Sequence, residues 1–111
     1  MPRKVLELTE ENFQSTVLEA GRPVLVEFWA PWCGPCRTMS PIVDELASEL
    51  AEALLVARLN VDEHRTVATR YDVFSIPALL LFNQGRVVKR IIGALPKRRL
   101  LDELREHLPS L

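Results

Sequence analysis

Apolar residues alternate between two periodicities along the chain, and the alternation sketches an architecture. Val5 to Leu8 reads as a short strand, after which Thr9 caps a helix with Glu10 and Glu11 in its positive first turn. Phe13, Val17 and Ala20 give that helix one apolar face, and Gly21 closes it. Pro23 to Ala30 is nearly continuous in apolar residues, the pattern of a strand buried on both faces of a sheet. From Cys36 onward, Met39, Ile42, Val43, Leu46, Ala47 and Leu50 fall at steps of three and four, a long amphipathic helix. Cys36 lies on that apolar stripe and Cys33 does not. Pro41 removes a hydrogen bond to the Arg37 carbonyl and is expected to kink the helix. Leu54 to Asn60 is a second buried-type strand, Asp62 is placed to cap a helix carrying Val67, Ala68 and Tyr71, and Pro77 opens a strand from Ala78 to Phe82. Asn83-Gln84-Gly85 is a tight turn that returns Arg86 to Ile92 antiparallel. Gly93 stops that strand, and Pro96 starts a last helix with Leu100, Leu101, Leu104 and Leu108 inward. Alternating strands and helices followed by a hairpin predict an α/β fold, an open mixed sheet sandwiched between helices.

A chain of 111 residues fits a single domain, 1–111, large enough to fold by packing without metal or disulfide staples. It is 48% apolar and 26% charged, which excludes disordered, collagen-like and coiled-coil classes. Fourteen basic and fifteen acidic residues balance to a net charge of -1, so the electrostatic footprint of a nucleic-acid binder is missing. The longest apolar run, Ile76 to Phe82, falls far short of the roughly 18 residues a membrane span requires. Met1-Pro-Arg-Lys is basic, but the polar positions in Val5-Leu-Glu-Leu-Thr-Glu break the apolar core of a signal peptide, and a cytoplasmic location is expected.

The chemistry concentrates in Cys33-Gly34-Pro35-Cys36, which holds the only two cysteines. In a reducing compartment such a pair is reactive or metal-binding rather than a permanent staple. A buried strand feeding a tight Gly-Pro turn into a helix puts Cys33 at the helix N-terminus, where unpaired N–H groups and the macrodipole stabilise a thiolate. Cys36, one turn on and deeper, is within reach of a mixed disulfide formed at Cys33. Pro35 suits the first turn because the N–H it lacks would have no intrahelical partner. The competing reading is half a zinc site, which needs four ligands; His64 and His107 are the remaining nitrogen candidates, and both read as solvated surface.

The flanks of the pair carry a resemblance. Phe28-Trp29-Ala30-Pro31-Trp32-Cys33-Gly34-Pro35-Cys36 is similar to the active-site signature of the thioredoxin family, and Val56 to Asp62 and Ser75 to Phe82 resemble its later segments. The similarity runs from the first strand to the last helix. It implies a three-layer sandwich, a central mixed five-stranded sheet with two helices on each face. It also implies a protein-disulfide reductase in which Cys33 is the nucleophile and Cys36 resolves the mixed disulfide, with Gly34 and Pro35 shaping the site. From its residues alone, Pro77 reads as a trans proline opening a strand; the resemblance implies a cis Ile76-Pro77 bond facing the cysteines. Trp32, Ile76, Pro77 and Gly93 would then form an apolar apron for extended, disulfide-bearing segments, with Trp29 as core packing.

Glu27 and Arg58 interrupt apolar strands, and alternation alone would turn each outward. Members of the family usually carry a buried Asp and a Lys at these two positions, so both partners depart from the pattern together. If the strand Pro23 to Ala30 is central, Glu27 is buried beneath the active site, its pKa raised by desolvation and only partly offset by a paired Arg58, and it is expected to accept the Cys36 proton. The resemblance further implies a monomer with no bound cofactor or metal beyond the redox-active Cys33–Cys36 disulfide, and no nucleic-acid or membrane partner. The expected recycling partner is an NADPH-dependent thioredoxin reductase, and the expected clients are disulfide-containing proteins such as ribonucleotide reductase, peroxiredoxin and methionine sulfoxide reductase. Two rival readings stand beside this one: a disulfide oxidase or isomerase, which would normally need an export signal, and a binding module whose redox chemistry is incidental. Gly-Pro between the cysteines favours a reductant.

Overall fold

The computed structural model describes residues 5–108. The expected domain bounds of 1–111 and the basic Met1-Pro-Arg-Lys start extend outside these residues. Five strands form one sheet in the order β1-β3-β2-β4-β5, built from Leu6–Glu7, Leu55–Asn60, Val24–Trp29, Ala78–Asn83 and Arg86–Ile92 respectively. β1, β3 and β2 run parallel, and β4 and β5 join antiparallel. β2 is central because it is apolar on both faces: it pairs with β3 on one side, Val26 opposite Ala57, and with β4 on the other, Val26 opposite Leu80.

Period-two alternation sorts these strands into two cores. Val24, Val26, Phe28, Ala57, Leu59, Leu80 and Phe82 face one cluster, covered by Phe13 and Val17 and by Val67 and Ala68 of α2 (Arg65–Arg70). Leu25, Val56, Leu79 and Leu81 face the other, covered by Met39, Val43 and Leu46 of α1 (Gly34–Glu49) and by Leu100 and Leu104 of α3 (Lys97–Arg105). Two helical segments lie on each face, as expected. An aromatic trio of Phe13, Tyr71 and Phe82, with ring centroids 5.1 to 5.7 Å apart, ties the first helical segment to α2 and β4.

Two helix readings need correction. Thr9 does cap a turn, its Oγ1 accepting from Asn12 N at 3.1 Å while Asn12 Oδ1 accepts from Thr9 N at 2.7 Å. Beyond that turn the chain forms a five-residue π-helical segment, Gln14–Leu18, closed by Glu19 N donating to Gln14 O, rather than a regular α-helix. Asp62 does not cap α2; that helix starts at Arg65 with His64 at the cap and no side-chain capping bond. The Asp62 carboxylate is held by Trp32 instead. α1 runs on through Pro41. The β4–β5 hairpin turns on Gln84 and Gly85, both at positive φ (54° and 78°), the conformation that a two-residue primed turn requires.

Candidate functional site

β2 ends at Trp29, β3 at Asn60, and β4 begins at Ala78, so the loops leaving and entering these strands share one end of the sheet. Topology thereby gathers Trp32 and Cys33, Asp62, Ile76 and Pro77, and Gly93 from four separate stretches of sequence. After β2 the chain turns sharply, Cys33 N donating to Ala30 O at 3.1 Å. Cys33 then occupies the N-cap of α1, extended at φ -85° and ψ 108°, with Pro35 in the first turn. Its Sγ accepts from Cys36 N at 3.3 Å. A cap position normally filled by a hydroxyl or carboxylate oxygen is filled here by sulfur, so a thiolate at Cys33 meets an aimed N–H and the positive end of a sixteen-residue helix. An added Cβ at Gly34 would meet nothing within 4 Å, so packing does not demand glycine there.

Cys33 and Cys36 form a disulfide across Cα atoms 5.3 Å apart. In this oxidised state both cysteines are buried, Cys33 3% exposed and Cys36 1%. What separates them is position, Cys33 at the cap and Cys36 on the inward stripe with Met39 and Val43.

The Ile76–Pro77 bond is cis. Gly93, at φ +90°, donates its N–H to Pro77 O at 2.8 Å, locking the β5 exit to the β4 entry. Arg90 Nη2 holds Tyr71 O at 2.6 Å, which tethers the loop leading to Pro77. The apolar apron differs from expectation in its parts. Trp32 is 67% exposed and Ile76 partly so, but Pro77 is buried. Phe74, 80% exposed, and Ile92 add large apolar surface that the sequence pattern did not reveal. Trp29 is only half-buried, and its indole Nε1 is enclosed with no partner among the described residues. Trp32 is held in place although exposed, its Nε1 donating to both Asp62 carboxylate oxygens at 2.9 and 3.2 Å. In a Trp29→Phe background, Asp62→Ala should lower the fluorescence anisotropy of Trp32 while changing stability by no more than about 0.5 kcal/mol. Unchanged anisotropy would show that the indole is held by packing alone.

Beneath the pair, Glu27 is fully buried and ion-paired as expected: Arg58 Nε donates to Glu27 Oε1 at 2.7 Å across directly opposed positions of β2 and β3. Ser40 Oγ donates to the other oxygen, Oε2, at 3.0 Å. The far end of Arg58 bonds Ser40 O at 3.2 Å and the exposed Asp44 carboxylate at 3.0 Å. Burial pushes the Glu27 pKa above the usual carboxylate range, with Arg58 and Ser40 opposing it in part. Burial works against the Arg58 charge, but its bonds to Glu27 and Asp44 outweigh it and raise that pKa. Neither Ser40 nor Asp44 stood out in the sequence, although Ser40 lies one helical turn beyond Cys36. His64 lies beside Glu10 and His107 beside Glu106; among the described residues no group of three or more His, Cys, Asp or Glu is placed to hold a metal ion. No helix among them is long and apolar enough to cross a membrane.

Comparison with known proteins agrees with this geometry. The family model described as Thioredoxin matches residues 4–106. Thioredoxin 1 of Synechococcus elongatus is 46% identical over 101 residues, covering 91% of this chain and 94% of its own. Thioredoxin of Chlorobaculum thiosulfatiphilum is 41% identical, covering 95% and 97%. Thioredoxin of Mycobacterium bovis is 46% identical, covering 96% and 91%. A dithiol capping a helix at the end of such a sheet, with identity sustained over nearly the whole chain, admits one assignment: the protein belongs to the thioredoxin family and is a thiol–disulfide oxidoreductase of the protein-disulfide reductase type.

Proposed function

We propose that Cys33 attacks client disulfides and that Cys36 then attacks the resulting mixed disulfide, releasing the reduced client. The observation that carries this assignment is the N-cap geometry, in which the Cys33 sulfur accepts the Cys36 N–H while Cys36 points into the core. Glu27 takes the proton of Cys36 as that thiol becomes a nucleophile, because a carboxylate with a raised pKa can accept and return a proton closer to neutral pH. Arg58 keeps the carboxylate charged until then. Trp32, Ile76 and Gly93 form the docking surface over the buried Pro77, whose cis bond shapes it, with Gly34 and Pro35 setting the turn between the sulfurs.

A single domain carries this cycle in the cytoplasm as a monomer. NADPH supplies the electrons indirectly, through a thioredoxin reductase. The client class is disulfide-bearing proteins, with ribonucleotide reductase, peroxiredoxin and methionine sulfoxide reductase as the proposed members. The test is a coupled assay of the purified chain, a bacterial thioredoxin reductase, NADPH and insulin. NADPH should be consumed catalytically only when all components are present. Reduction of the Cys33–Cys36 disulfide by dithiothreitol but not by the reductase would overturn the recycling step and leave the dithiol chemistry standing.

A further inference from the structure

Glu27 is completely enclosed, so the proton that it exchanges with Cys36 needs a way out of the sheet. Its two oxygens are committed differently. Oε1 faces Arg58, a permanent cation that neither gives nor takes a proton near neutral pH. Oε2 faces Ser40, whose hydroxyl both donates and accepts. Cys36 and Ser40 stand four positions apart on α1, hence on the same side of the helix, and both line an open cleft of about 290 Å³. Trp29, Pro41 and Asp44 share that cleft, which is large enough to admit several water molecules. Trp29 of the same lining also carries an indole N–H that is enclosed without a partner among the described residues.

We propose that Ser40 is a positioning residue for the resolving step, its hydroxyl linking the enclosed Glu27 carboxylate to the cleft that Cys36 lines. The inference rests on the proton-accepting role of Glu27 and says how that role reaches the thiol. In the mixed disulfide, Cys36 is a thiol. Its proton passes to cleft water, the water passes one to Ser40 Oγ, and Ser40 delivers its own to Glu27 Oε2. The Cys36 thiolate attacks Cys33 Sγ, the Cys33–Cys36 bond forms, and the bond from Cys33 to the client sulfur breaks. The client leaves as a thiolate with the electron pair of that bond, and Glu27, now neutral, returns its proton through Ser40 to cleft water, from which the client thiolate or bulk solvent takes it. Two electrons have moved from the dithiol to the client disulfide. The other groups facing Glu27 cannot substitute: Arg58 of β3 is a cation, Asp44 of α1 lies beyond Arg58, and Leu79 opposite on β4 is apolar.

The experiment is single-turnover resolution of the mixed disulfide that reduced protein forms at Cys33 with Ellman's reagent, followed by release of the second thionitrobenzoate across pH. At about pH 6, Ser40→Ala should slow release about tenfold, a modest part of the range open to assisted proton transfer. The deficit should close as pH approaches about 8.5, where an ordinary cysteine ionises unaided. Ser40→Thr, which keeps the hydroxyl, should restore the rate, and Ser40→Ala should add nothing to Glu27→Gln. If Ser40→Ala is fast at every pH while Glu27→Gln is slow, the relay is wrong and the Glu27 role survives. If Glu27→Gln is also fast, both fall. Equal slowing by Ser40→Ala at every pH would mark a packing defect and overturn the relay.

Discussion

Cys33→Ser should abolish insulin reduction in the presence of dithiothreitol, lowering turnover by on the order of a thousandfold or more, the scale seen when a nucleophile is removed. Cys36→Ser should lose turnover too, but for a different reason: the first attack still occurs, and the protein accumulates as a covalent adduct. The distinction arises at the helix end. Only the Cys33 sulfur sits at the cap, where the Cys36 N–H and the positive end of the helix are placed to meet negative charge. In the oxidised protein both sulfurs are covered. Reduction breaks the ring, and Cys33, at the helix cap rather than on its inward stripe, should then be alkylated first by iodoacetamide near neutral pH. Mass spectrometry of the singly labelled species checks this directly. A label on Cys36, or a stable client adduct of Cys33→Ser rather than Cys36→Ser, would reverse the two roles.

The elements that sequence pattern exposes well are those in which one physical rule dominates. β2 and β4 read as buried strands because continuous apolar runs have few other homes, and α1 and α3 because their apolar residues repeat at three and four. Rules fail where side chains compete. Asp62 has the chemistry of a helix cap, yet Trp32 comes from thirty residues earlier to claim its carboxylate, and nothing local to either residue announces that contact. Thr9 caps its turn as its type predicts, but the five residues beyond Phe13 widen into π-helical geometry. Around the site, the cysteine pair and its helix were legible because their spacing is short-range. The lining of the cleft was not: Ser40 and Asp44 share the helix face of Cys36 but are unremarkable singly, and only the packing of β2 against α1 brings Trp29 beside them. Glu27 and Arg58 lie between these cases. Alternation alone would have turned them to solvent, whereas parallel register opposes them directly in the interior.

That opposition makes Arg58 a residue whose loss should cost much stability. With Arg58→Met, Glu27 keeps only the Ser40 hydroxyl and stands in an apolar setting as an uncompensated charge. Breaking a buried pair from one side costs about 3–5 kcal/mol, because the remaining ion loses its partner and cannot regain water. The sign of the pH dependence identifies the cause. Glu27 already has a folded-state pKa above its unfolded value, so the stability associated with its proton is complete below the unfolded pKa and lost as pH rises through the folded one. Removing Arg58 raises the folded value further. In acid the carboxyl is neutral in both proteins and their urea midpoints should approach each other; as pH climbs through the wild-type folded pKa, the variant should fall progressively behind. Replacing both members, Glu27→Leu with Arg58→Met, should remove the dependence and raise stability above wild type by about 1–4 kcal/mol, since apolar packing needs no solvation to be recovered. Asp44, left without its guanidinium, is exposed and loses little. If Arg58→Met is as unstable in acid as at neutral pH, the loss comes from the packing of the arginine stem, and the ion pair is not what holds Glu27 charged between the strands.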